Sequence, residues 1–178
     1  VTWGSSMVQA LLGTRFNGIG AIRVDALHAV PQIDGAYLLQ TMDYYRGDPL
    51  DERFELYFED VEYCDRARAK RGVGLFGAVV GRHCAGASYR SSGGTAYLAN
   101  RVSHARYLLG KYSRLPRAVL RLPFALELLT RSLTRQPEGR ATRFKAFALA
   151  SEELRHPGSV RVLEGRPATA PGRAAGAG

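Results

Sequence analysis

Residues 51–72, DERFELYFEDVEYCDRARAKRG, join four aromatic rings to a dense run of charges. Acidic residues in a first turn suit the helix dipole, so we predict that a helix begins near Glu59. Glu62 and Arg66 are four residues apart and are expected to pair on its surface. Gly72 stands where a glycine commonly ends a helix. A helix whose acidic residues only contact solvent does not need so apolar a segment directly before it.

The rest of the chain alternates short apolar runs with helical patterns. A Gly-rich turn leads to a predicted strand at 21–23 and then to a helix that starts near Asp25 and stops at Pro31. The irregular, aromatic stretch 31–49 is predicted to be mostly loop. Residues 74–83 are predicted to form a buried strand, and a loop rich in small residues follows. Further helices are expected at about 95–112 and after Pro116.

Charge is divided unevenly along the chain. Residues 1–100 hold ten Lys/Arg against eleven Asp/Glu, a net of −1, whereas residues 101–178 hold fifteen against five, a net of +10. The first part is typical of a site-bearing globular region, and the second of a surface that meets anions. Hydrophobic residues at 46% favour a folded protein, and two cysteines are too few for a disulfide scaffold, which fits a cytoplasmic location.

A family resemblance accounts for the order of these motifs. GAIRVDAL, then DERFELYFEDVEYCDRAR, then a strand ending in RHCAGASY resembles the C-terminal half of bacterial family 2 glycosyltransferases over roughly residues 14–115. The branch that adds rhamnose or galactofuranose to cell-envelope glycans is most similar. The resemblance implies an α/β fold, the C-terminal part of a Rossmann-like GT-A domain with a mixed central sheet. The matching residues are Leu50, Asp51, Glu52, Phe54, Tyr57, Glu59, Asp60, Glu62, Cys64, Arg66 and His83.

The resemblance implies that Asp60 is the general base of an inverting sugar transfer. Such a base takes a proton from the acceptor hydroxyl as that hydroxyl attacks the anomeric carbon, and a carboxylate can do this when partial burial raises its pKa toward neutrality. Glu59 and Tyr57 would then contact the acceptor, a lipid-linked glycan or a polysaccharide. Without the motif, Glu59 and Asp60 would be ordinary first-turn carboxylates.

The donor is expected to be a nucleotide sugar held with Mg²⁺ or Mn²⁺. His83 would complete the metal coordination by resemblance, and an imidazole suits Mn²⁺ better than Mg²⁺. The alternative is a histidine without a ligand role. By resemblance, small residues form a floor beneath the donor sugar, and a mobile loop contacts the diphosphate. The alternative is that this loop binds no ligand. These residues are Gly18, Gly20, Ala21, Arg82, Ser88, Tyr89 and Arg90.

Two features depart from the family pattern. Residues 31–49 intervene where family members pass quickly from one motif to the next, so the acceptor pocket is expected to differ. No D-x-D motif, which would hold the metal and diphosphate in the nucleotide-binding half, occurs in the chain. Together with Val1 as first residue, this predicts a truncated chain or a misplaced start.

The basic region contains one amphipathic helical pattern. In residues 117–135 one stripe is apolar and an arginine row lies roughly opposite, which is typical either of an anchor on an anionic membrane surface or of a helix packed on its own domain. The stripe comprises Val119, Leu122, Leu126, Leu129 and Leu133, and the row Arg117, Arg121, Arg131 and Arg135.

These patterns divide the chain into three parts. Residues 1–115 are predicted to be the acceptor-side half of a GT-A domain, 116–155 a basic amphipathic helical extension, and 156–178 a disordered tail. The predicted protein is a cytoplasmic enzyme, either free in the cytoplasm or peripheral at the inner face of the plasma membrane, and this chain alone is predicted to be incomplete and inactive. A non-enzymatic remnant that binds membranes or partners is the competing class. A nucleic-acid-binding module ranks last, because no recognition motif accompanies the charge, so nucleic acid is not an expected partner.

Overall fold

Helices form most of the part of the chain that the structure, a computed structural model, describes: Met7 and residues 27–33, 35, 38–76, 94–132 and 139–163. Bounds are defined there for five helices and two strands. The helices are α1 (Met42–Gly47), α2 (Glu59–Lys70), α3 (Thr95–Lys111), α4 (Arg117–Ser132) and α5 (Gly139–Arg155). The strands are β1 (Leu27–Ala29) and β2 (Gly74–Phe76).

Helix α2 has the predicted start and end. It begins at Glu59, and Arg66 Nε donates to Glu62 Oε1 at 2.6 Å, as the i,i+4 spacing predicts. Gly72 adopts φ +93°, and its N–H donates to the carbonyl of Ala67 at 3.2 Å. A left-handed glycine at this position satisfies a carbonyl of the last turn at little steric cost, which is why the helix stops here.

The core lies where α3, α4 and α5 meet the chain before α2. Ala105 and Leu108 of α3 and Ala150 and Leu154 of α5 are fully buried. Their spacing of three or four residues puts each pair on one helix face. The same cluster includes Phe54, Val61, Tyr107, Leu120 and Phe124. The predicted extension 116–155 therefore shares one core with residues from 1–115.

The sheet corrects one helix prediction. Residues Leu27–Ala29 form β1, antiparallel to β2 with Leu27 opposite Phe76, whereas a helix was expected from Asp25 to Pro31. A side chain at Gly74 would lie 2.8 Å from Leu27 Cδ1, so the pairing depends on a close approach at a glycine far along the chain. A local pattern cannot show such a partner. The mixed central sheet of a GT-A domain stays a prediction.

Two further predictions agree with the structure only in part. Helix α1 lies within 31–49, which was predicted to be mostly loop; the side chain of Thr41 caps it by accepting from the Tyr44 N–H. Strand β2 is the start of the predicted strand 74–83, but Phe76 is 54% exposed rather than buried. The remainder of that strand and the predicted strand at 21–23 lie outside the described residues.

Helix α4 buries a different row from the predicted stripe. Leu120 and Phe124 are buried, whereas Leu122 and Leu129 of the stripe are 47% and 63% exposed. Arg121 and Arg131 of the arginine row are half-buried, and Arg121 Nη2 lies 3.5 Å from the carbonyl of Ser151, whereas Arg117 is exposed and Arg135 lies outside the described residues. The helix carries apolar residues on two faces, and α5 covers one of them. None of the helices in the described ranges is long and apolar enough to cross a membrane.

The predicted tail 156–178 starts with residues that pack on the core. Val160 is buried, and its N–H donates to Glu153 Oε2 at 3.2 Å. The N–H groups of Val162 and Leu163 donate to Glu55 Oε2 at 2.8 and 3.2 Å. These bonds tie the end of the described chain to the loop before α2.

Candidate active site

The loop before α2 has an unusual backbone. Tyr57 and Phe58 adopt φ of +66° and +68°, the left-handed region that non-glycine residues avoid at a cost of roughly 1–2 kcal/mol each. Helix α3 holds the loop in place, since Ser103 Oγ donates to the carbonyl of Leu56 at 2.8 Å. The Phe58 ring also stacks on His104 with centroids 4.6 Å apart. Strain of this kind persists where neighbouring structure enforces it, and it concentrates at functional sites.

Asp60 lies in the first turn that this loop leads into, and the residue is half-buried. Oδ2 accepts from the Gly35 N–H at 2.9 Å, and Oδ1 accepts from the Val61 N–H at 2.8 Å. Each oxygen retains a lone pair, so the carboxylate is fixed in place and can still accept a proton. Glu59 and Tyr57, the expected acceptor contacts, are half-buried on the same turn and loop.

Described residues of the stretch 31–49 contact α2, a feature that the sequence pattern did not reveal. Cys64 Sγ lies 3.8 Å from the carbonyl of Ile33, and the hydroxyl of Tyr63 bonds Gln40. A Cβ on Gly35 would lie 3.3 Å from Asp60 Cβ, so this residue lies against the candidate base. The one signal was the turn-forming Asp34–Gly35 pair. The segment that departs from the family pattern thus places Gly35 directly beside the predicted site.

Charged groups on the other face of α2 tie it to α3. Tyr107 Oη and Lys111 Nζ donate to Asp65 Oδ2 at 2.5 and 2.6 Å. Burial alone would raise the pKa of Asp65, but these hydrogen bonds outweigh it and lower the pKa. Burial and the Asp65 carboxylate raise the pKa of Tyr107. These groups act as structural ties.

The side chains of Glu62 and Cys64 on α2 have raised pKa values. Burial is the main cause for Glu62, and the carboxylate of Asp51 adds to it. Burial likewise raises the pKa of the Cys64 thiol, which is 1% exposed. A buried, protonated thiol is a poor nucleophile, which agrees with the core role predicted for Cys64.

The remaining predicted site residues lie outside the described ranges: Gly18, Gly20, Ala21, Arg82, His83, Ser88, Tyr89 and Arg90. Within those ranges, no group of three or more His, Cys, Asp or Glu side chains is placed to hold a metal ion. The Mg²⁺ or Mn²⁺ site therefore stays a prediction that rests on His83. Comparison of the chain with protein-family models, curated proteins and solved structures gives no match.

The backbone strain at Tyr57 can be tested by comparing two substitutions. Glycine adopts positive φ at little cost, whereas alanine does so only with strain. We therefore expect the free energy of unfolding of Tyr57→Gly to be about 1 kcal/mol larger than that of Tyr57→Ala. The same pair at Tyr45, inside α1, should show the opposite order, since glycine is the weaker helix former. Urea denaturation measures both differences. An alanine variant as stable as the glycine variant at position 57 would contradict the strain.

The stack of Phe58 on His104 predicts an acid sensitivity. Burial, with a contribution from Arg101, holds the pKa of His104 well below 6.5. The unfolded chain binds this proton below pH 6.5 and the folded chain does not, so stability is fully present above pH 6.5 and is lost as pH falls. The loss is up to about 1.4 kcal/mol per pH unit. His104→Phe should remove this slope in urea denaturation between pH 6.5 and 5, whereas His156→Gln, an exposed site, should keep it. Equal slopes in both variants would argue against a buried neutral His104.

Proposed function

We propose that the chain supplies the acceptor side of an inverting glycosyltransferase, with Asp60 as general base. The observation that carries the proposal is the strained pair Tyr57–Phe58, which enters α2 directly before Glu59 and Asp60. A strained backbone held by its neighbours fixes the direction of the carboxylate that follows it. An ordinary helix start does not need so rigid an entry. The motif resemblance over 50–66 supplies the reaction type.

The proposed step is one proton transfer coupled to one substitution. The acceptor hydroxyl attacks the anomeric carbon, its proton passes to a carboxylate oxygen of Asp60, and the nucleoside diphosphate leaves from the opposite face with inversion. Glu59 and Tyr57 orient the acceptor in this proposal. The Mg²⁺ or Mn²⁺ ion, with His83 as a ligand, would neutralise the leaving diphosphate. Oxygen-rich donor-side residues, including a D-x-D motif, would have to come from sequence that this chain does not contain.

The proposal is tested by a transfer assay on the complete reading frame. Uridine- and thymidine-diphosphate sugars would be supplied with Mn²⁺ and a lipid-linked acceptor, and the anomeric configuration of the product read by NMR. An inverted product that requires the segment containing D-x-D is the expected result. Retention of configuration, or no transfer from any donor by the complete protein, would reject it.

The second candidate is a non-enzymatic protein at a membrane surface. It is favoured by the exposed side chains of Leu122 and Leu129 on α4, with Arg117 on the same helix and Arg114 before it. Each cationic side chain near an anionic bilayer contributes about 1 kcal/mol. Sedimentation with vesicles that contain phosphatidylserine, reversed by salt, would support this candidate if transfer is absent. Leu122→Ser with Leu129→Ser should abolish such binding.

A further inference from the structure

A cleft of about 430 Å³ lies on the far side of the 53–58 loop, between the C-terminal ends of α3 and α5 and the start of α4. Phe54, Leu109, Leu115, Leu120 and Pro157 provide an apolar floor. Arginines from four parts of the chain line it, and Glu153 is the one acidic residue among the described lining residues. Ligand sites of small molecules commonly have this size and mixture of surfaces.

One arginine of the cleft is structural. Arg106 is 8% exposed and Glu153 is 1% exposed, and Arg106 Nε lies 2.9 Å from Glu153 Oε1. Glu153 Oε1 also accepts from the Gly158 N–H at 2.7 Å. This pair neutralises itself and fixes the wall of the cleft. The N–H donors available to a ligand therefore belong to the other three arginines.

Arg53, Arg117 and Arg161 are exposed and retain hydrogen-bond donors. Arg53 donates from Nε and Nη2 to the carboxylate of Asp51. Arg117 donates from Nη1 to the carbonyl of Arg155 at 2.8 Å. Arg161 Nη1 lies 3.7 Å from a carboxylate oxygen of Glu55. A guanidinium has five N–H donors, so each keeps several for a ligand. Asp51 and Glu55 pair with Arg53 and Arg161 and are not among the lining residues. Arg117 has no carboxylate partner among the described residues, so it brings most of the net charge of the cleft.

We infer that this cleft binds an amphiphilic phosphate, with the phosphate on Arg53, Arg117 and Arg161 and the alkyl part on the floor. Guanidinium forks match phosphate oxygens, and a small net positive charge suits one phosphate group better than a polyanion. The inference does not depend on glycosyl transfer.

Calorimetric titration with three probes tests the ligand class. We expect octyl phosphate, kept below its micelle concentration, to bind at least tenfold more tightly than inorganic phosphate or octanol, because it alone fills both parts of the cleft. Octyl phosphate binding no more tightly than inorganic phosphate would overturn the inference. So would octanol binding as tightly as octyl phosphate.

Variants locate the binding. Arg117→Gln and Arg161→Gln should each weaken octyl phosphate binding roughly tenfold. Arg68→Gln, the same charge change on α2 outside the cleft, should leave it unchanged. Leu115→Gln should weaken octyl phosphate and leave inorganic phosphate as it was. An Arg68→Gln loss equal to that of Arg117→Gln would show general charge attraction and reject the site.

Vesicles distinguish the source of the phosphate. Phosphatidylcholine vesicles with and without phosphatidic acid would be compared for the original chain and for Arg117→Gln/Arg161→Gln. Loss of both octyl phosphate and phosphatidic acid binding in the double variant supports a membrane phospholipid as ligand. Loss of octyl phosphate binding alone supports a soluble phosphate ester. Binding to phosphatidic acid with no binding of octyl phosphate would reject the cleft as the site.

Discussion

Under the proposed function, Asp60→Asn is expected to lower the rate of sugar transfer by roughly a hundredfold or more and to leave nucleotide-sugar binding nearly intact. The amide keeps the shape of the side chain but cannot accept the acceptor proton, and general bases of this kind contribute about 10²–10⁴-fold. Donor binding should persist because the donor side lies elsewhere in the proposed site. Single-turnover transfer and donor titration by fluorescence measure the two quantities separately.

A matched control is available on α1. Asp43 is an exposed first-turn carboxylate, and Asp43→Asn makes the same chemical change away from the proposed site. It should transfer sugar at the original rate. In Asp60→Asn, one of the N–H groups of Gly35 and Val61 loses its oxygen acceptor, so a stability loss of about 1 kcal/mol is expected and must be measured alongside. Unchanged turnover with a folded Asp60→Asn protein would remove Asp60 from the mechanism.

Glu153→Ala is expected to lower the free energy of unfolding by about 3–5 kcal/mol. The substitution leaves the buried guanidinium of Arg106 without its counter-charge, and uncompensated buried charges cost this much. It also removes the acceptor of the Gly158 and Val160 N–H groups. A loss of this size is a large share of the stability of an ordinary domain, so the midpoint of urea denaturation should fall markedly.

The neighbouring residue gives the control. Glu152 is 42% exposed and pairs with Arg155 at 3.2 Å, so Glu152→Ala should cost less than about 1 kcal/mol. A Glu153→Ala loss as small as that of Glu152→Ala would mean that Arg106 finds water or another partner, and the pair would then not hold the wall of the cleft.

What could be predicted from the sequence differs between α2 and β1 for a physical reason. The start of α2, its Glu62–Arg66 pair and its end at Gly72 depend on residues within one or two helical turns, so their spacing reveals them. Strand β1 depends on Gly74, which lies far along the chain, and no local pattern contains that partner. Propensity near Asp25 favoured a helix, and pairing overrode it.

The candidate site shows the same division. The position of Asp60 in a first helical turn, directly after an apolar segment, could be predicted because the residues that indicate it are contiguous in the sequence. Its bond to Gly35 could not, since a loop of irregular composition gives no periodic signal. The positive φ of Tyr57 and Phe58 was also hidden, because neither residue is a glycine or asparagine and the contacts that enforce the backbone come from α3.

The bond between Glu55 and Val162 has a consequence for synthesis of the chain. The two residues are 107 positions apart, so at about 5–20 residues per second the ribosome needs about 5 to 20 s to deliver the partner of Glu55. Until Val162 leaves the exit tunnel, the loop before α2 lacks this tie, and the nascent chain should be cleaved by chymotrypsin after Tyr57. Chains stalled before Val162 and the released 178-residue chain should therefore differ in that cleavage, and equal cleavage would contradict a late closure. The proposed catalytic loop thus becomes fully protected only after a residue 107 positions further along the chain has been delivered.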